Sequence, residues 1–160
     1  MDEKEDHQRN WRPNILLFSG GTEARPHLIQ LAREIEGKAG MISNFDLHED
    51  PDAKVLFPKH EQSVDDAALR QNGIFARQQS VKDVYVGVET IASTYGFSGI
   101  EPNTVLMGWP RKTRNPIRFA NMTQSLIDLD YNVLYLDYDL ERGFGKYRTI
   151  EMLSLIHISE

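Results

Sequence analysis

Pro13-Asn14-Ile15-Leu16-Leu17-Phe18-Ser19-Gly20-Gly21 is the stretch on which the fold turns. Its apolar run, Ile15 to Phe18, is strand-sized, and a short continuous run stopped by glycines marks a strand buried on both faces. Pro26 then stands where a first helical turn would place it, because a missing N–H costs nothing there. Leu28, Ile29, Leu31, Ala32 and Ile35 recur at helical spacing, and Gly37 supplies a C-cap. A strand, a tight glycine turn and a helix are therefore expected in that order.

The pattern recurs along the chain. Residues 40–47 (GMISNFDL) predict a second strand, interrupted by Ser43 and Asn44, with a carboxylate-rich loop after it. Residues 61–79 predict a helix flawed by Gly73. Val84, Val86 and Val88 alternate as a third strand would, and Glu89 to Tyr95 read as a short helix closed by Gly96 and Gly99. Thr104 to Met107 predict a fourth buried strand ending at Gly108, residues 117–130 a helix, and Val133 to Leu136 a fifth strand after a turn at Asn132. Strands separated by helices imply crossover connections. The expected fold is α/β, a doubly wound, mostly parallel sheet of five strands, Rossmann-like or like the universal stress proteins.

Around this core the chain is 160 residues long, 40% hydrophobic and 26% charged, which suits one globular domain. A formal net charge of -6 argues against a general nucleic-acid binder. No apolar run approaches the roughly 20 residues of a membrane span, and the N-terminal MDEKEDHQRN lacks the apolar core of a secretory signal. The absence of cysteine removes disulfide and thiolate chemistry, and a cytosolic location is the simplest expectation. Residues 1–12 read as a polar linker and 13–150 as the α/β domain. Residues 151–160 form a tail containing LSLIHISE, which resembles a translated sequencing adapter and is set apart from the domain.

Chemistry is sparse. Ser19, Gly20, Gly21 and Thr22 form a turn whose N–H groups suit a phosphate, yet neither G-x-G-x-x-G nor a closing Gly-Lys-Ser/Thr is present. A tight turn needing glycine dihedrals is the competing account. Gly108 stands where universal-stress-type nucleotide domains carry a glycine pair, but Arg111 takes the partner's place and Asn121-Met122 that of the later small pair. These residues mark a nucleotide or phosphate site for ATP or a similar ligand only as the alternative; otherwise no cofactor is assigned. Arg111, Lys112 and Arg114 make a basic loop, either simply solvated or facing phosphate or anionic lipid.

His7, His27, His48, His60 and His157 show no ligand spacing, so zinc is not expected. The cluster Asp46, His48, Glu49, Asp50 and Asp52 lacks the calcium-loop pattern and reads as solvated loop. Asp137, Asp139 and Glu141 read as a surface cluster. Neither Ser19 nor Ser98 sits in a nucleophile elbow, so no catalytic residue is assigned and no enzyme is expected.

Asn10-Trp11-Arg12-Pro13 leading into the first strand, with Arg25-Pro26 beyond the turn, resembles the opening of the C-terminal cytosolic domain of cation–chloride cotransporters, within the amino acid/polyamine/cation permease superfamily. Gly99 to Trp109, with Pro102-Asn103-Thr104-Val105-Leu106-Met107-Gly108 as its most specific part, is similar to that family's next strand block, and Phe119 to Tyr138 to the segment after it. Gly21-Thr22 replace the prolines common in the family, and residues 44–80 align little. The resemblance implies the first of two related α/β halves, on the cytoplasmic face of an integral membrane transporter. It implies as partners a transmembrane domain of the same protein and a second copy as homodimer, with Met1 an internal or fragment start. The alternative is a free-standing universal-stress-type nucleotide-binding protein.

Overall fold

The computed structural model describes residues 11–20, 25–53, 69–96 and 101–144. The described elements run β1 (Asn14–Phe18), α1 (Pro26–Glu36), β2 (Met41–Glu49), β3 (Phe75–Val81), α2 (Val84–Thr94), β4 (Thr104–Gly108), α3 (Pro116–Asp128) and β5 (Asn132–Leu136). They form one five-stranded sheet in the order β3-β2-β1-β4-β5, with every neighbouring pair parallel. The expected α/β sheet is present, and the strand order reverses direction between β1 and β4.

β1 lies in the middle of the sheet. Ile15 stands beside Ile42 on one side and Thr104 on the other. Because side chains alternate across a strand, β1 feeds two cores. Ile15 and Leu17 pack with Ile42 and Leu106 against Leu28 and Ala32 of α1. Leu16 and Phe18 pack with Phe45, Val105 and Met107 against Val88, Ile91 and Ala92 of α2 and Met122 and Leu126 of α3. The sheet is thus wound on both faces, and the apolar run of β1 has no polar side to spare.

The third strand is a correction. Val84, Val86 and Val88 lie in α2, not in a strand. Their alternation is incidental, because Val88, Ile91 and Ala92 carry on at helical spacing and turn inward while Val86 is exposed. Asp83 caps the helix, its side chain accepting a hydrogen bond from the Val86 N–H at 3.0 Å. Glu89 to Tyr95, expected as a separate short helix, is the rest of this one and its C-cap.

The helix expected over 61–79 also yields, since Phe75–Val81 is strand β3, paired with β2 from Ser43–Phe75 to Glu49–Val81. The signal lies in Gly73. Its φ is +77°, its N–H donates to the Arg70 carbonyl, and the Ile74 N–H donates to the Leu69 carbonyl. That pairing is a Schellman helix stop, and it releases the chain into β3. Residues 61–68 lie outside the described residues. Polar Arg77, Gln78 and Gln79 disguised an edge strand, where pairing with β2 overrides helix propensity. β2 itself continues two residues beyond its expected end, to Glu49.

The N-terminal rim of the sheet is closed by asparagines. Asn103 Oδ1 accepts from the Asn14 N–H at 3.1 Å, and Asn103 Nδ2 donates to the Arg12 carbonyl at 2.7 Å. The Asn103 N–H donates to the Asn14 carbonyl, and the Asn103 carbonyl accepts from the Asn132 N–H and, at 3.2 Å, from its side-chain amide. Asn14 Nδ2 adds a bond to the Glu101 carbonyl at 3.1 Å. The starts of β1, β4 and β5 are thereby held in register. Gly40 closes the other side of the rim, where a Cβ would stand 2.0 Å from the Pro13 carbonyl oxygen.

Two stability predictions follow from this rim. Gly40→Ala forces backbone apart at β2's entry and should cost about 2–4 kcal/mol, a large value for a single substitution, seen as a drop of roughly 10 °C in the thermal midpoint. Asn103→Ala strands the Asn14 N–H and the Arg12 carbonyl and should cost about 1–3 kcal/mol by denaturant titration, with Asn103→Asp, which keeps the acceptor, falling between.

Candidate functional site

In doubly wound sheets, ligands settle beyond the carboxyl ends of the strands where the strand order reverses. Here that place lies between the ends of β1 and β4, and it brings together Ser19, Gly20 and Gly108 from the sequence-expected set. Gly21 and Thr22 lie outside the described residues. Gly20 has φ +61°, a left-handed conformation that favours glycine. Ser19 is fully buried, and its Oγ has no hydrogen-bond partner among the described residues.

The sequence did not foretell what stands in this crevice. A Cβ on Gly108 would lie 2.7 Å from Nη1 of Arg25, and a Cβ on Gly20 would lie 3.7 Å from the same atom. The Arg25 guanidinium therefore lies beside both glycines. Arg25 is also the residue before α1, where its side chain makes no capping bond, and Pro26 opens the helix without an N–H. Among the described residues, a phosphate here would meet one guanidinium and a helix start short of a donor. Gly108 gives room for a cation of the chain itself.

Next to this arginine, the His27 ring stacks on Tyr138, with centroids 4.1 Å apart and planes 5° apart, and Tyr138 in turn meets Phe144 edge-on. Burial, and secondarily the charge of Arg25, lowers the His27 pKa below its ordinary value. The neutral ring is thus favoured in the fold, and protonation as pH falls below the ordinary histidine range opposes the folded state.

The other candidates have structural partners. His48 Nε2 lies 3.0 Å from Asp46 Oδ2 and 2.7 Å from Gln78 Nε2. Asp50 Oδ1 accepts from the Asp52 N–H, and Glu49 accepts from the N–H of Val84 at the start of α2. The stretch expected as solvated loop therefore begins inside β2. Asp137 pairs with Arg111 at 2.6 Å, and Asp139 Oδ1 accepts from the N–H groups of Glu141 and Arg142 in a turn. No group of three or more His, Asp and Glu side chains suited to a metal occurs among the described residues. A shallow groove between α2 and α3 is lined by Glu89, Thr90, Ser93, Ser125 and Asp128. Its hydroxyls bond to carbonyls of their own helices, so they call for no ligand. His7, His60, His157 and Ser98 lie outside the described residues.

No protein-family profile matches the chain. It is similar to solute carrier family 12 member 2, a cation–chloride cotransporter, from Homo sapiens, with 23% identity over 160 residues that cover 96% of the chain. The Mus musculus protein of the same name matches at 23% over the same share, and that of Squalus acanthias at 24% over 152 residues and 88% of the chain. The chain spans only 12% of the length of these relatives. The likeness drawn from the three sequence blocks thus extends over nearly the whole chain.

Replacing Arg25 by Gln should raise the His27 pKa toward its ordinary value without fully restoring it, since burial is the larger cause. Proton-resonance titration of the imidazole reads this directly. No shift on substitution would show that Arg25 does not act on the ring.

Proposed function

As a relative of the cation–chloride cotransporters, we propose, this chain is a non-catalytic cytosolic domain of such a permease, serving regulation or assembly while a transmembrane part of the same protein moves the ions. The observation that carries this is one of proportion: the similarity takes in 96% of the chain and 12% of the relative. A match of that shape is what one domain of a much larger protein gives. In keeping with it, no helix among the described residues is long and apolar enough to cross a membrane.

The domain's contribution is then physical support. A two-faced α/β unit beside the membrane part adds folding stability, supplies surface for pairing with a second copy, and offers an element whose position can bias transport. Such coupling requires two states with different contacts. Within this proposal residues 13–150 are the domain, residues 1–12 its connection to the membrane part, and residues 151–160 a tail set apart from it.

The reading frame upstream of Met1 should encode about a dozen apolar segments of roughly 20 residues each. Sequencing the genomic DNA on both sides checks it. A promoter and an in-frame stop directly before Met1 would falsify the proposal, and an uninterrupted genomic read through the codons for LSLIHISE would remove the assignment of the tail.

A further inference from the structure

The β4–α3 connection and the first turn of α3, Trp109-Pro110-Arg111-Lys112-Thr113-Arg114-Asn115-Pro116-Ile117-Arg118, hold four cations and no carboxylate in a chain of net charge -6. Its cations divide into two kinds. Arg111 is pinned, its Nε to Asp137 and its Nη2 to the Tyr138 carbonyl at 3.0 Å. Arg118 pairs with Glu89 at 3.2 Å. Thr113 lies 2.9 Å from the Tyr85 hydroxyl, and Asn115 caps α3 by accepting from the Arg118 N–H. These contacts hold the base of the loop in one shape. Lys112 and Arg114 are exposed and make no ion pair among the described residues.

Large apolar side chains stand beside these two cations. Trp109 packs edge-on against Phe119 and Tyr135 yet remains 47% exposed, and Ile117, in the first turn of α3, is 73% exposed. A loop held at its base, with bare cations between an exposed tryptophan and an exposed isoleucine, has the composition of a membrane-interface contact. Indole rings favour the headgroup level, and Lys and Arg favour lipid phosphates.

We propose that the Trp109–Ile117 loop rests on the anionic headgroup layer of a bilayer, with Lys112 and Arg114 on lipid phosphates and Trp109 and Ile117 entering the interface. Charge complementarity selects this occupant. The acidic remainder of the chain is repelled by an anionic surface, so contact through this loop also orients the domain, sheet C-termini toward the lipid. An acidic protein segment would satisfy the cations but gives no part to the exposed Ile117. A bilayer lies close by if the transporter reading holds, and to that extent the inference rests on it. Vesicle binding by the isolated chain is measurable without it, whereas the upstream reading frame tests the transporter alone.

The test uses the whole 160-residue chain carrying Trp11→Phe, so that Trp109 is the sole indole. It is mixed with vesicles of phosphatidylcholine alone or with about 30 mol% phosphatidylserine, an anionic surface of physiological sign. The expected result is co-sedimentation with the anionic vesicles only, a blue shift of Trp109 emission, and weakening as salt shortens the Debye length. At ~fivefold in affinity per cation, Lys112→Glu with Arg114→Glu should weaken binding by at least about twentyfold. Ile117→Ser should weaken binding while keeping its salt dependence. Thermal melts of each variant confirm folding. Equal binding to neutral vesicles, no binding to either, or undiminished binding by the folded double variant overturns the proposal. So does binding to a poly-glutamate peptide without binding to anionic vesicles, which would assign the loop to an acidic protein.

Discussion

Everything in this domain is arranged around one buried strand. Ile15, Leu16 and Leu17 have essentially no exposure, and they face opposite sides of the sheet in alternation. A strand apolar on both faces is stable only if each face is covered and each edge paired. Among the described elements, α1 covers one side, α2 and α3 cover the other, and β2 and β4 satisfy the backbone. The remaining elements can be understood as the means by which this central strand is kept from water.

The two ends of the sheet are built for different purposes. At the N-terminal rim, backbone and side-chain amides of Asn14, Asn103 and Asn132 tie three strand starts together. At the C-terminal rim the polar groups are less completely spent among the described residues: the Ser19 hydroxyl has no partner there, Arg25 lies among glycines, and Lys112 and Arg114 after Gly108 make no ion pair beside exposed apolar side chains. In open parallel sheets the βα loops at this end are where ligands settle.

That contrast bears on what the transporter likeness reports. Asn103 and Thr104, inside the most specific of the resembling blocks, work at the structural rim, where the Thr104 hydroxyl donates to the Asn103 side chain at 2.9 Å. Asn14, in the first block, does the same. These residues of the resembling blocks close the sheet. Trp109, at the end of the same block, is different, since its ring is packed on one side and open on the other.

The sequence by itself determined the layered α/β class, the central strand, α1 with its proline start and glycine stop, β4, α3 and β5. Each of these is a local pattern, readable because burial on one or two faces dictates the spacing of apolar residues. It misplaced the third strand, because β3 draws its conformation from pairing with β2 and carries Arg77, Gln78 and Gln79 that no local pattern marks as strand. It also read three alternating valines as extended when an Asp83 cap and the next two turns make them helical. Of the candidate site, sequence located the glycines beyond β1 and β4. Only the tertiary structure brought them together across the sheet and laid the Arg25 guanidinium beside both, because contacts between residues 20, 25 and 108 depend on strand order, which no local periodicity encodes.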